Sequence, residues 1–191
     1  MDGAWIETVP WSEATGTLKD AYDWQAASLG EPAEFTQLGS LYPDIVMERL
    51  RLYKVVEAAP SSLTPLERRL AAYVASSLNQ TPHCSSGLVH KLADVEASEA
   101  LLEQVRADPD QVASGDERLD AIVHYATKLT RTPGEMAEAD IHMLRAAGLS
   151  DIDILDLNNI VAYYCYINRV ANGLGLRTEI PADHARHAVP R

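Results

Sequence analysis

Cysteine is scarce in this chain. Cys84 and Cys165 are the only two among 191 residues, too few for a disulfide framework and in keeping with a reducing, intracellular compartment. Positive charge is scarce as well: 16 Lys and Arg stand against 28 Asp and Glu, a net charge of −12. Such a surface repels phosphate, which excludes nucleic acid and anionic membrane surfaces as natural partners. Long hydrophobic runs are missing. The longest, Ile160–Ile167, is far below the roughly 20 residues that span a bilayer. The first residues, from Met1 to Glu7, show neither a basic n-region nor an apolar h-region, so no secretory signal is expected and a cytoplasmic location is. Hairpin signals and alternating strand patterns are absent too.

What remains is helical. With 47% hydrophobic and 23% charged residues the chain is globular, and 191 residues suffice for one domain with a real core. Apolar positions recur at 3–4 spacing in most segments. Ser12 is placed to cap a helix from Glu13 to Ser28; Phe35–Leu41 is a short apolar piece; Pro43 opens a helix to Glu57 with Ile45, Val46, Leu50, Tyr53 and Val56 near one face. Thr64-Pro65-Leu66-Glu67 reads as a capping box with proline at the first helical position, opening a helix to Leu78. Further helices are predicted from Thr81 to about Val95, Ser98 to Arg106, Asp116 to about Thr130, Ile141 to Ala147, and from Asp151 or Asp153 to Gly173. The expectation is an all-α, single compact domain of about seven to nine helices. Its core covers about residues 10–178, and a loose tail, 179–191, carries His184 and His187. No linker divides it.

The chemistry concentrates in Asn79-Gln80-Thr81-Pro82-His83-Cys84-Ser85-Ser86-Gly87-Leu88-Val89-His90. Thr81 suits an N-cap and Pro82 the first helical position, which puts His83 second and Cys84 third. A thiol there lies beside unpaired N–H groups and the positive end of the helix dipole, and both favour the thiolate. The competing reading is a buried structural cysteine that packs as a small hydrophobe.

Leu63-Thr64-Pro65-Leu66-Glu67-Arg68-Arg69, then Asn79, then the His83-Cys84 helix start resemble the carboxymuconolactone decarboxylase-like, alkylhydroperoxidase D-like superfamily, in particular its peroxidase-related branch. Tyr42-Pro43 leading to Leu50-Arg51-Leu52-Tyr53, and Tyr166-Ile167-Asn168-Arg169-Val170-Ala171-Asn172-Gly173-Leu174-Gly175, carry the same resemblance, which spans roughly residues 10–178. It implies an all-helical fold, assembly into trimers or hexamers, and thiol-based reduction of hydroperoxides without a bound cofactor. The family pattern is Glu, then Cys-x-x-Cys, then His four residues after the second cysteine. Cys84 matches the second cysteine, and His83 the histidine often found before it. Thr81, Leu88 and Arg69 stand where the first cysteine, the histidine and the glutamate belong, and Glu67 matches an outer acidic position.

The candidate catalytic residues are therefore Cys84, His83, Glu67 and Arg69. Glu67 also has a structural reading, as the capping-box partner of Thr64. Arg69 is a candidate to stabilise a thiolate or to pair with a surface acid, and Tyr73, one turn on, either shares that pocket or packs in the core. His90 lies about 240° around the helix from Cys84, so it points away from the thiol; it shares the His83 face about 10 Å further along, too far for one metal. Cys165 reads as a core or interface residue, and Asn168-Arg169 as polar positions that are buried with partners or sit at an interface. His124 and His142 have no partner visible in the sequence.

Two functions follow. One is a thiol-dependent hydroperoxide reductase using Cys84 alone, with a small-molecule substrate and an external thiol reductant. The other is a degenerate helical oligomer that binds a small molecule or does other, decarboxylase-like chemistry. The last helix is apolar around much of its surface, which predicts a homo-oligomer, a trimer or hexamer by resemblance, with a dimer as the other option.

Overall fold

The computed structural model describes residues 4–95 and 97–181. Among these, nine α-helices and no strand are found: α1 Gly16–Leu29, α2 Glu34–Leu38, α3 Pro43–Glu57, α4 Pro65–Leu78, α5 Pro82–Ala93, α6 Glu99–Ala107, α7 Glu117–Arg131, α8 Glu138–Ala146 and α9 Asp151–Gly173. His184 and His187 lie outside the described residues.

Local chemistry sets most helix starts. Proline is the first residue of α3, α4 and α5, where its missing N–H costs nothing. The Thr64 hydroxyl accepts from the Glu67 N–H at 3.2 Å, and the Glu67 carboxylate accepts from the Thr64 N–H at 2.6 Å, the reciprocal cap that the sequence predicts. Ser150 and Asp153 form the same box for α9, while Ser98 and Asp116 cap α6 and α7. Two expected starts move. Trp11–Glu13 is a separate 3-10 turn, and α1 begins only at Gly16. α8 begins at Glu138, three residues before Ile141, because the Asp140 carboxylate takes the Ala137 N–H at 2.7 Å and holds the first turn.

The core is built around α4, which packs against α5, α7 and α9. Every residue from Leu70 to Ser76 is buried, so α4 is surrounded rather than striped. Leu157, Ile160 and Val161 of α9 and Ile122, Val123 and Ala126 of α7 belong to the same core cluster. α1 packs on α3 outside this core. Ion pairs link the layers: Arg118 Nε donates to Glu67 Oε1 at 2.6 Å, and Arg68 of α4 pairs with buried Asp156 of α9. On α3, Val46 and Val56 are buried, but Ile45 is exposed, so the apolar face expected there is split between core and surface.

After α9 the chain turns at Gly175, whose φ of +86° lies in the left-handed region and whose missing Cβ admits the Trp5 ring. The following residues run back over α5. His83 Nδ1 lies 3.0 Å from the Thr178 carbonyl oxygen, the Ile180 N–H donates to Ser86 Oγ at 2.8 Å, and His90 Nε2 lies 2.9 Å from the Ile180 carbonyl oxygen. Residues 179–181, expected to be loose, form the end of this strap.

Candidate functional site

The two sides of α5 do different things. At about 100° per residue, Cys84, Leu88 and Lys91 share one side, while Ser85, Ser86, Val89 and His90 share the other.

On the first side, Cys84 is half-buried and packs against the main core, and Leu88 is buried in it. Tyr163 and Tyr164 of α9 lie close enough to Cys84 for its charge to raise their pKa values, although burial is the larger cause for both. The two rings meet edge to face with centroids 5.7 Å apart, and Tyr163 stacks at 5.9 Å on Tyr53 of α3. Lys91 Nζ donates to the Tyr53 hydroxyl at 2.6 Å. Burial disfavours the Lys91 ammonium, but the neighbouring Tyr53 and Glu57 outweigh it and raise its pKa. Cys84 thus faces an aromatic cluster, and Lys91, about two turns further along the same side of α5, pairs with Tyr53 of that cluster.

This surround corrects the expectation of a pre-formed thiolate. Burial pushes the Cys84 thiol up to about 12, so desolvation overrides the helix dipole. Arg69 does not counter it: its guanidinium donates to the Lys91 carbonyl at 2.5 Å, two helical turns along α5. Glu67 is committed elsewhere, one carboxylate oxygen to the Thr64 N–H and the other to Arg118, which leaves neither free for proton transfer. His83 is buried at the start of α5 and turned toward the strap. Burial lowers its pKa, with the Thr178 carbonyl and Glu34 acting in the opposite sense. Of the four candidates, the structure leaves Cys84 alone facing the tyrosines.

Thr81 sits at the N-cap position but makes no capping bond. It is buried, and its hydroxyl accepts from Asn172 Nδ2 at 2.9 Å. Cys165 belongs to a neighbouring polar knot: Asn79 Nδ2 donates to its sulfur at 3.6 Å, and the thiol donates to Thr130 Oγ1 at 3.8 Å. Asn168 is buried and accepts from Ser76, whereas Arg169 is exposed and folds back onto the Cys165 carbonyl. Sequence reasoning missed Tyr163 and Tyr164 as neighbours of the thiol; the approach of α9 left no local signal.

On the second side of α5 lies an open cleft of about 740 Å³, walled by α4, α5, Arg106 of α6 and the strap. The Tyr73 hydroxyl faces it and accepts from Arg106 Nε at 2.8 Å. His90 is here too, bound to the strap rather than to any metal; no group of His, Cys, Asp and Glu fit to hold a metal ion is found among the described residues. No described helix is long and apolar enough to cross a membrane.

No protein-family model and no curated relative matches this chain. Solved structures do. The chain superposes with a TM-score of 0.83 and 20% identity on an alkylhydroperoxidase AhpD core, an uncharacterized peroxidase-related protein from Ralstonia eutropha, covering 100% of both chains. A peroxidase-related protein from Silicibacter sp. matches at 0.79 and 22% identity, over 99% of this chain and 97% of that one. The debrominase Bmp8, as a cysteine-to-alanine variant in complex with 2,3,4-tribromopyrrole, matches at 0.72 and 18% identity, over 95% and 93%. The chain carries the alkylhydroperoxidase D-like fold.

Proposed function

We propose that this is a peroxidase-related thiol protein in which Cys84, acting as a single cysteine, reduces a small hydroperoxide and is regenerated by an external thiol. The observation that carries the reading is the placement of Cys84: the candidate nucleophile is half-buried rather than fully enclosed at the start of α5, beside Tyr163 and Tyr164. In the reaction, sulfur attacks the terminal peroxide oxygen and the O–O bond breaks. The thiol proton ends on the departing alkoxide, giving an alcohol and a sulfenic acid. One external thiol condenses with the sulfenic acid to a mixed disulfide and water, and a second releases Cys84 with formation of an external disulfide. Thr81, in place of a second cysteine, makes that external thiol necessary.

The protonated state of Cys84, with a pKa of about 12, favours a second reading: a small-molecule-binding helical oligomer without peroxidase turnover. The debrominase neighbour, which has a cysteine variant in complex with a bromopyrrole, supports small aromatic ligands on this fold and chemistry other than peroxide reduction. In either reading the protein is a cytoplasmic homo-oligomer, a trimer, hexamer or dimer. Its interface is formed by the exposed stripe Ile152, Leu155, Ala162 and Tyr166 on α9, joined by Ile45, Leu52 and Val55 on α3. Thiol-dependent consumption of cumene hydroperoxide, measured with dithiothreitol as reductant, separates the readings. Loss of turnover in Cys84→Ser is the expected result; equal turnover in wild type and variant rules out the first reading.

A further inference from the structure

The cleft on the side of α5 away from Cys84 has no part in the thiol chemistry, yet it is a built feature. Its outer wall is the strap, held by both histidines of α5 and by Ser86. Gly87 lets the Ile180 side chain lie close on α5: a Cβ there would meet Ile180 Cδ1 at 2.9 Å, and the tip of that side chain would have to shift. The strap therefore sits on α5 by specific bonds, and it leaves an open cleft of about 740 Å³ beside it, room for a small molecule.

The polar groups inside define what fits. Tyr73 is only 2% exposed. Its oxygen accepts from Arg106, and no acceptor for its own O–H is found among the described residues. A buried hydroxyl with a free proton favours an acceptor in the cleft. Ser77, one turn further along α4, offers a second hydroxyl. The Arg106 guanidinium is neutralised by Glu99 and Glu103, Glu179 adds negative charge at the rim, and the whole chain carries −12. A free carboxylate or phosphate meets no unpaired cation there. Val89, Ile180 and Pro181 supply the apolar part of the remaining wall; Ser85, Ser86 and His90 complete it with polar groups already engaged, Ser85 Oγ donating to the Pro82 carbonyl, Ser86 Oγ to the His83 carbonyl, and His90 bound to the strap.

We propose that this cleft is a binding site for a small, uncharged, largely apolar molecule with one carbonyl-type acceptor, which the Tyr73 hydroxyl receives while Val89 and Ile180 pack its body. The site is separate from Cys84 and stands whether or not Cys84 reduces peroxides.

The test uses acetophenone as the neutral probe and benzoate as its anionic counterpart, titrated against the full-length protein by ligand-detected NMR. Acetophenone is expected to bind saturably and at least tenfold more tightly than benzoate. Tyr73→Phe is expected to weaken it about five- to tenfold, the loss of one hydrogen bond. Val89→Trp, which fills the cleft, should abolish binding, and Cys84→Ser should leave it unchanged. Should Val89→Trp fail to fold by circular dichroism, Ser77→Trp fills the same space from α4. Tighter binding of benzoate, retention of binding in a folded cleft-filling variant, loss of binding in Cys84→Ser, or no saturable binding of acetophenone would each overturn the proposal.

Discussion

Alkylation of Cys84 as a function of pH probes the environment that distinguishes this site from a poised thiolate. With its pKa near 12, the thiolate fraction at pH 7 is about 10⁻⁵, against about 3% for an unperturbed thiol near pKa 8.5. That is a deficit of about 3,000-fold. A more basic thiolate is also more nucleophilic; with a Brønsted slope of about 0.4–0.5 over roughly 3.5 units, it recovers about 25- to 60-fold. The net expectation is a rate at pH 7 about 50- to 120-fold below that of a free thiol, rising about tenfold per pH unit with no plateau before pH 10. Iodoacetamide labelling followed by peptide mass spectrometry reads Cys84 separately from Cys165, and labelling in guanidinium gives the unperturbed rate. A plateau below pH 8, or labelling at pH 7 as fast as in the unfolded chain, would refute the burial argument and restore a helix-dipole thiolate. The same shift has a stability consequence. Between about pH 8.5 and 12 the unfolded chain has lost the thiol proton that the folded chain keeps, so stability falls as pH rises through that window, by about 1.4 kcal/mol per unit. Cys84→Ser should remove that contribution to the alkaline slope.

Three further outcomes follow from the geometry. Glu67→Ala removes both a reciprocal cap and a buried ion pair with Arg118 and should lower stability by about 2–4 kcal/mol in urea titration; unchanged stability would contradict the structural role. For Asp153, burial acts to raise the pKa, but hydrogen bonds from Ser150 and Ser62 outweigh it and hold the group at about 2. Its contribution is therefore present above about pH 4 and lost as pH falls toward 2: Asp153→Asn should cost about 2 kcal/mol at pH 7 and progressively less below pH 4, as measured by thermal unfolding across pH. Leu155→Glu, in the exposed stripe of α9, should shift the assembly toward monomer in light scattering, and an unchanged mass would place the interface elsewhere.

The sequence discloses helices well where their starts are written in local chemistry. Thr64 through Glu67 specify a cap by residue type and spacing alone, and the structure has that cap. α8 starts earlier than its apolar residues suggest, because a side chain at its third position, Asp140, closes the first turn. The separation of His90 from Cys84 could be read from helical geometry. That His83 and His90 hold the strap could not, since their backbone partners lie 95 and 90 residues away. The thiol shows the same limit more sharply. Its position at a helix start is local and predicts a depressed pKa; its burial beside Tyr163 and Tyr164 depends on how α5 and α9 each pack on α4, and it has the opposite and larger effect.

The motif departures take on physical meaning once the packing is known. Leu88, where the resembled family has histidine, is buried in the main core, so an imidazole there would be desolvated and would need a hydrogen-bond partner. Thr81, in the place of the first cysteine, is bound by Asn172 of α9 and ties the start of α5 to that helix. Arg69, in the place of the glutamate, ties α4 to the far end of α5 through the Lys91 carbonyl. Each of the three therefore does structural work on α5, two by hydrogen bonds and one by packing. A dithiol site needs a thiolate at Cys84, and the desolvated tyrosine surround opposes that charge. Lost motif and buried thiol point the same way: α5 is held as a packing element first, and any chemistry at Cys84 must first draw the proton from a desolvated thiol.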